Sequence, residues 1–259
     1  MAIAAHSDVH RARSLGVQMK QAGARALARA PYIARRSAFN TTGRGWFRYL
    51  EKLPELYPDR EYSLDPYFKM NCIFVHIPKC AGVSVTKILF GNLGAGHEPV
   101  KHYLFYLGAK RFDDMFKFTI MREPAERISS AFHFLKKGGF NAADKKWAEQ
   151  WIKPECGMDE FIQEVLVKKE ARSWIHFRPQ TYFLIDPRTG EPGVDFISRL
   201  ERLDEDFVKI ARKLGVAKEL PKLNVTPTSV LSNRGMSKTS RQLIEQLYED
   251  DFQLFERAA

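Results

Sequence analysis

Two short stretches hold the residues whose types and spacing could do chemistry. In the first, Lys79 is followed by the small loop Cys80, Ala81, Gly82 and Val83 and then by Ser84, directly after the apolar run Cys72 to Ile77 and a stop at Pro78. Such a loop lets the backbone approach a ligand closely and turn its N–H groups inward, while the ammonium adds a full positive charge. In the second, Arg122 follows the run Phe116 to Met121, and Ser130 stands eight residues after it. A guanidinium can grip a phosphate with two parallel hydrogen bonds, and a hydroxyl two helical turns along can close the other side. Both stretches describe sites for phosphate or sulfate, and together they outline one anion-binding crevice.

The elements that must position these residues follow from the same stretches. Cys-Ile-Phe-Val-His-Ile is a β-branched and aromatic run suited to a strand covered on both faces. A helix is expected to open with Ser84 as its cap, so that its unpaired N–H groups and positive dipole end face the Lys79 loop. Phe116 to Phe132 repeats the plan of strand, tight turn and helix. Two such units predict an α/β fold, a mostly parallel sheet flanked by helices, with the crevice at the carboxyl ends of the strands.

A nucleoside-triphosphate loop would place its lysine after the second glycine, followed by a hydroxyl for magnesium. Here Lys79 precedes Gly82, which argues against a nucleotide kinase. Ile77-Pro-Lys-Cys-Ala-Gly-Val-Ser84 instead resembles the 5'-phosphosulfate loop of sulfotransferases that use 3'-phosphoadenosine 5'-phosphosulfate (PAPS). Arg122, Pro124, Arg127 and Ser130 resemble the 3'-phosphate motif of the same enzymes. The resemblance is to carbohydrate sulfotransferases of the heparan sulfate 2-O-sulfotransferase type (sulfotransferase family 2) and their bacterial relatives. It extends from about residue 70 to the C-terminus through Arg178-Pro-Gln-Thr-Tyr-Phe-Leu184, Val194-Asp-Phe-Ile197 and Tyr248-Glu-Asp-Asp-Phe252.

That resemblance implies a P-loop-like sulfotransferase fold and sulfuryl transfer from PAPS to a hydroxyl of a carbohydrate or glycolipid, with no metal required. It implies that Lys79 stabilises the leaving oxygen and that Lys79, Cys80, Ala81, Gly82, Val83 and Ser84 hold the 5' side. Arg122 and Ser130 would hold the 3'-phosphate. His102 would be the general base, with His97 the alternative, and Arg178 and Gln180 would lie near the acceptor. Cys80 and Val83 stand where the family usually carries hydroxyls, which leaves Lys79, Ser84 and backbone N–H groups to hold the phosphosulfate.

With 259 residues, 44% of them apolar, the chain can bury one substantial core. Of the formal charge of +10, most is N-terminal: Met1 to Leu50 contain nine Lys or Arg and one acid, Asp8. Residues 1–65 therefore read as a basic extension, expected to be helical, ahead of a sulfotransferase domain at 66–259. Leu15, Met19, Ala22 and Ala26 follow helical spacing and suggest a peripheral helix with a solvated charged face. A transit peptide or a helix on anionic lipid fits the same composition. Removing residues 1–50 is expected to leave donor binding unchanged. The rival reading is a non-catalytic binder of RNA or another polyanion that uses the basic segment and a degenerate nucleotide pocket; an enzyme without a nucleic-acid partner is preferred. No run reaches membrane-spanning length and no secretory signal is recognisable, so a cytoplasmic protein is expected, with peripheral membrane contact allowed. Cys72, Cys80 and Cys156 are odd in number and scattered, which fits a reducing compartment. Cys80 beside Lys79 at a helix N-terminus is also a candidate low-pKa nucleophile.

The remaining expectations concern scaffold. Pro54 to Pro66 reads as a linker and Asn92 to Pro99 as a loop. Asn141 should cap a helix through Trp151, and Met158, Phe161, Ile162, Val165 and Leu166 form an amphipathic stripe. Thr181–Ile185 and Val194–Ser198 read as two strands. Phe207, Ile210, Ala211 and Leu214 form a helix face stopped by Gly215. Leu243, Ile244, Leu247, Phe252 and Phe255 describe one last helix capped by Ser240. Asn224 and the Ser232-Asn233-Arg234 loop are further candidates to border the crevice.

Overall fold

Helices α1 (Ala2–Arg29), α2 (Tyr32–Asn40) and α3 (Trp46–Leu56) lead into the short helix α4 (Asp65–Lys69) and the first strand, β1 (Cys72–Val75). The computed structural model describes residues 2–40, 45–217 and 236–258, with side chains for 16–39, 45–217 and 236–258. After β1 come α5 (Gly82–Phe90), α6 (Val100–Leu107), α7 (Ala109–Asp114) and β2 (Phe116–Met121), then α8 (Pro124–Lys136) and α9 (Ala142–Trp151). The turn α10 (Met158–Glu160) continues into a π-helical segment, Phe161–Leu166, followed by α11 (Lys169–Arg172) and α12 (Gln180–Leu184). Strand β3 (Phe196–Arg199), α13 (Leu203–Leu214), α14 (Lys238–Leu247) and α15 (Glu249–Arg257) complete the described chain.

The three strands form a parallel sheet in the order β1-β2-β3, with Val75 opposite Thr119 and Met121 opposite Arg199. Every residue of β1, and all of β2 after Phe116, is buried, as expected of strands covered by helices on both faces. One apolar core wraps the sheet through Phe74, Phe118, Ile120, Leu104 and Phe207, and it includes Ala28 of α1 and Leu50 and Leu53 of α3. A second core joins Phe132, Trp147, Phe161, Phe177, Ile244 and Tyr248 beside α8. Asn141 caps α9 by accepting from Asp144 N–H, and Gly215 ends α13 in the left-handed conformation, both as expected.

Several boundaries differ from the sequence expectations. Helix α5 opens at Gly82 behind a left-handed Ala81, which puts Ser84 in its first turn instead of at the cap. Thr181–Ile185 is not a strand: α12 runs through it, and only Ile185 makes an isolated antiparallel bridge, to Pro192. The cause is Asp251, whose carboxylate accepts the Gln180 and Thr181 backbone N–H groups and the Thr181 hydroxyl, capping the helix from a distant element. Pro54 lies inside α3 and does not open a linker. The last apolar stretch is two helices, broken at Tyr248, and its cap is Ser237, whose hydroxyl accepts from Ser240 N–H. On α1, Met19, Ala22 and Ala26 face solvent, while Ala24, Leu27 and Ala28 pack inward. Asn224 and Ser232 to Arg234 lie outside the described residues.

Candidate functional site

The loop after β1 is built from an unusual backbone. Lys79 has φ of 70° and Ala81 φ of 58°, a region that side chains other than glycine rarely adopt and that costs about 1–3 kcal/mol per residue. Left-handed residues of this kind can turn neighbouring N–H groups to one side, as in an anion nest. Helix α5 then begins without a side-chain cap, so its first-turn N–H groups and dipole end are available to a ligand. Gly82 has an ordinary φ, yet a Cβ there would overlap the His76 ring, so glycine is required for close packing and not for the turn. Its place at the helix start lets the His76 imidazole lie directly against the loop.

Lys79 is largely buried with its Nζ 3.9 Å from the centre of the Phe134 ring. Burial, reinforced by the nearby Arg122 charge, lowers its pKa to about 8. Arg122 leaves the end of β2, the strand adjacent to β1. Its Nε is 3.6 Å from Glu126 Oε2, and neither buried atom has a hydrogen-bond partner within the protein. Ser130 follows on α8 and is half-buried. Arg127, the other motif arginine, is fully buried and donates to the carbonyls of His176 at 2.9 Å and Arg178 at 2.7 Å, so it holds the 176–178 segment in place. Cys80 is not the reactive thiol the sequence allowed. Its sulfur points inward, 3.5 Å from Gln180 Oε1, and burial pushes its pKa up to about 12.

Beside the loop lies a cleft of about 510 Å³ lined by Lys79, Ala81, Gly82, Val83 and Ser84. His76, His97, His176 and Asp144 line its polar side, and Tyr62, Phe134, Phe140 and Trp174 add aromatic surface. His97 places its Nδ1 3.0 Å from the His76 carbonyl, which can only accept. Nδ1 therefore carries the proton and Nε2 the lone pair. Burial lowers the pKa of His97 below the ordinary 6.5, and His76 and His176 are lowered by the same cause. His176 Nε2 is 3.0 Å from Asp144 Oδ1, which fixes the ring on the cleft wall.

His102 is placed differently. It lies in α6, stacked on Trp46 at 4.0 Å and paired with Glu98, and it is not among the residues lining the cleft. Arg178 and Gln180 also lie away from the cleft lining, as do Arg122, Ser130 and Cys80 of the expected donor site. The Arg178 guanidinium donates to the Ser173 carbonyl at 2.7 Å and the Tyr182 hydroxyl at 3.0 Å. Gln180 is fully buried, so the expected contact with an acceptor gives way to a structural position at the end of β2. His76, Asp144, His176 and the aromatic walls were not picked out in the sequence. His76 could have been, since it stands just past the carboxyl end of β1, three residues before Lys79. Asp144 and His176 are 32 residues apart and share no local pattern.

A family model described as the sulfotransferase family matches residues 68–256. No curated protein and no solved structure matches the chain. Among the described residues, no helix is long and apolar enough to cross a membrane, and no group of three or more His, Cys, Asp or Glu is placed to hold a metal ion.

Proposed function

The chain belongs to the sulfotransferase family, and on that premise we propose that it moves the sulfuryl group of PAPS to a hydroxyl of a carbohydrate or glycoconjugate acceptor. PAPS supplies an activated sulfuryl group on its 5'-phosphate and a 3'-phosphate by which it can be told from other adenine nucleotides. The uncapped start of α5, the left-handed φ values at Lys79 and Ala81 and the Arg122 Nε without a hydrogen-bond partner fit a ligand with anionic groups at both ends. One observation carries the reading. Lys79 and Arg122, on the loops that follow adjacent parallel strands, are close enough for Arg122 to lower the lysine's pKa; among the described residues Lys79 has no ion pair, and Arg122 faces a carboxylate only in Glu126, at 3.6 Å. Two half-buried cations with one carboxylate between them leave a net positive charge that suits an anion.

In this reading the Lys79 ammonium and the α5 amides of Gly82 to Ser84 stabilise negative charge on the leaving oxygen, while Arg122 and Ser130 hold the 3'-phosphate. His97 takes the proton of the acceptor hydroxyl at Nε2, the nitrogen left as a base by the Nδ1–H bond to the His76 carbonyl. The protein's main contribution is then to hold the hydroxyl in line with the sulfur and to keep water away. The aromatic cleft surface supports a sugar acceptor, because the apolar C–H face of a pyranose packs on such rings, and Phe140 offers one at the cleft with 76% of its surface exposed. All three cysteines are unpaired and buried, which supports a cytoplasmic setting. The basic residues on α1 and α2 leave room for peripheral contact with an anionic membrane.

A pair of titrations tests the donor. Isothermal binding of 3'-phosphoadenosine 5'-phosphate and of adenosine 5'-phosphate should show a clear preference for the first. Arg122→Lys keeps the charge and loses the fork, and should weaken the first by about tenfold while changing the second by less than about twofold. Absence of a preference in the unsubstituted protein removes the reading. Binding that collapses with salt and does not distinguish the nucleotides would favour a polyanion binder instead.

A further inference from the structure

We propose that Gln180 is a positioning residue that sets the spacing between the two phosphate-binding loops, and so selects a nucleotide carrying a phosphate at each end. The inference rests on the donor reading above and adds a residue whose role lies behind the ligand. Gln180 has no exposed surface. Its side-chain amide makes a closed pair with the backbone of Arg122: Nε2 donates to the Arg122 carbonyl at 2.8 Å, and Oε1 accepts the Arg122 N–H at 3.1 Å. The sheet register ends one residue earlier, where Met121 faces Arg199, so the amide takes over from the ladder just as β2 runs out. The same Oε1 accepts the Cys80 thiol at 3.5 Å. One side chain therefore fastens both loops, the one carrying Lys79 and the one carrying Arg122.

The attachment is itself anchored. Asp251 of α15, fully buried, accepts the Gln180 N–H at 2.7 Å through Oδ2, and through Oδ1 it accepts the Thr181 N–H and hydroxyl, each at 2.9 Å. The chain of bonds runs from the C-terminal helix through α12 to the ends of both strands. A restraint of this kind is needed because Lys79 and Arg122 carry like charges, and each destabilises the other when no anion is bound. Without the amide, the Arg122 N–H and carbonyl would lose the partners that define where the guanidinium starts. The arrangement also accounts for a thiol where a hydroxyl was expected: the Cys80 side chain faces inward, as part of the fastening, and leaves anion contact to the loop backbone.

Gln180→Met keeps the length and unbranched shape of the side chain and deletes the amide. Titration with 3'-phosphoadenosine 5'-phosphate should show binding weakened about tenfold, with adenosine 5'-phosphate changed by less than about twofold and the folded protein retained on thermal melting. A folded Gln180→Met protein with the preference intact would reduce Gln180 to a packing residue and overturn the proposal. Should Gln180→Met fail to fold, Cys80→Ala, which removes the thiol's bond to the amide along with its longer contact with the Pro78 carbonyl, is expected to lower the preference about threefold; an unchanged preference there overturns the proposal equally. The unsubstituted protein separates the two levels of inference. If it fails to prefer the doubly phosphorylated nucleotide, the donor reading falls and this one with it; if it does prefer it, the variants judge Gln180 alone.

Discussion

Lys79 keeps its positive charge in a place that disfavours it. Burial and Arg122 together lower its pKa to about 8, so the protonated form still predominates at neutral pH but is lost as pH rises through that value. For His97 the same downward direction suits a base. Burial depresses it below 6.5, so it stays neutral and able to accept a proton until the solution is more acidic than that. The pH profile of kcat/KM should therefore rise on an acid limb below 6.5 and fall on an alkaline limb near 8. An anionic donor beside the ammonium favours the charged form, so the alkaline limb of kcat should lie higher than that of kcat/KM. Steady-state rates across pH 5 to about 10 check both limbs. In Lys79→Ala the alkaline limb should vanish along with about 3 kcal/mol of transition-state stabilisation.

The two histidines show where residue-level reading stops. Both lie in the interval between the phosphate motifs, where the family resemblance favours His102 by its distance from Arg122. The structure places them differently: His102 lies within α6 and stacks on Trp46, while His97 precedes that helix and lines the cleft. His97→Ala should lower turnover by about 10²-fold or more and leave 3'-phosphoadenosine 5'-phosphate binding within about twofold. His102→Ala should cost stability and change turnover little. The opposite result, measured with saturating donor, would return the base to His102.

At the scale of elements, β1 and β2 were readable because a short apolar run buried on both faces has few other structures available to it. The start of α5 was not, since it depends on left-handed conformations at Lys79 and Ala81, residue types that carry no such signal. Helix α12 was misread as a strand for a related reason. Tyr182, Phe183, Leu184 and Ile185 favour strand locally, but a cap supplied by Asp251 from α15 overrides that preference. The α5 junction yields its own prediction. In Gly82→Ala the added methyl must displace the His76 ring, and the His76 carbonyl orients His97. Overpacking of this kind should lower stability by about 1–3 kcal/mol. It should also reduce turnover beyond what lost folded protein explains, which denaturation curves measured alongside initial rates will separate.

At the scale of the whole molecule, family resemblance and packing have different limits. The family match begins at residue 68, but the core that surrounds the sheet reaches further upstream. Phe47, Leu50 and Leu53 of α3 are buried, Arg35 of α2 donates through Nε to the Phe105 carbonyl at 2.8 Å, and Trp46 covers His102. The compositional shift at the basic segment concealed this, because charge density marks an exposed face and is silent about the apolar face behind it. Deleting residues 1–50 would therefore do more than trim a periphery. Burying a large apolar side chain contributes about 1.5–3 kcal/mol, so loss of Phe47 and Leu50 alone removes several kcal/mol from a net stability that is typically about 5–15. The shortened chain should melt well below the full one, because the segment is more than the peripheral helix its composition suggests. Because the phosphate-binding loops lie beyond residue 70, 3'-phosphoadenosine 5'-phosphate should still bind whatever fraction remains folded. At about one hundred times its Kd it should restore about 2.7 kcal/mol by mass action. Urea denaturation of both chains with and without the nucleotide measures both quantities. Equal midpoints for the full and shortened chains would show that α1, α2 and the first turn of α3 only decorate the core.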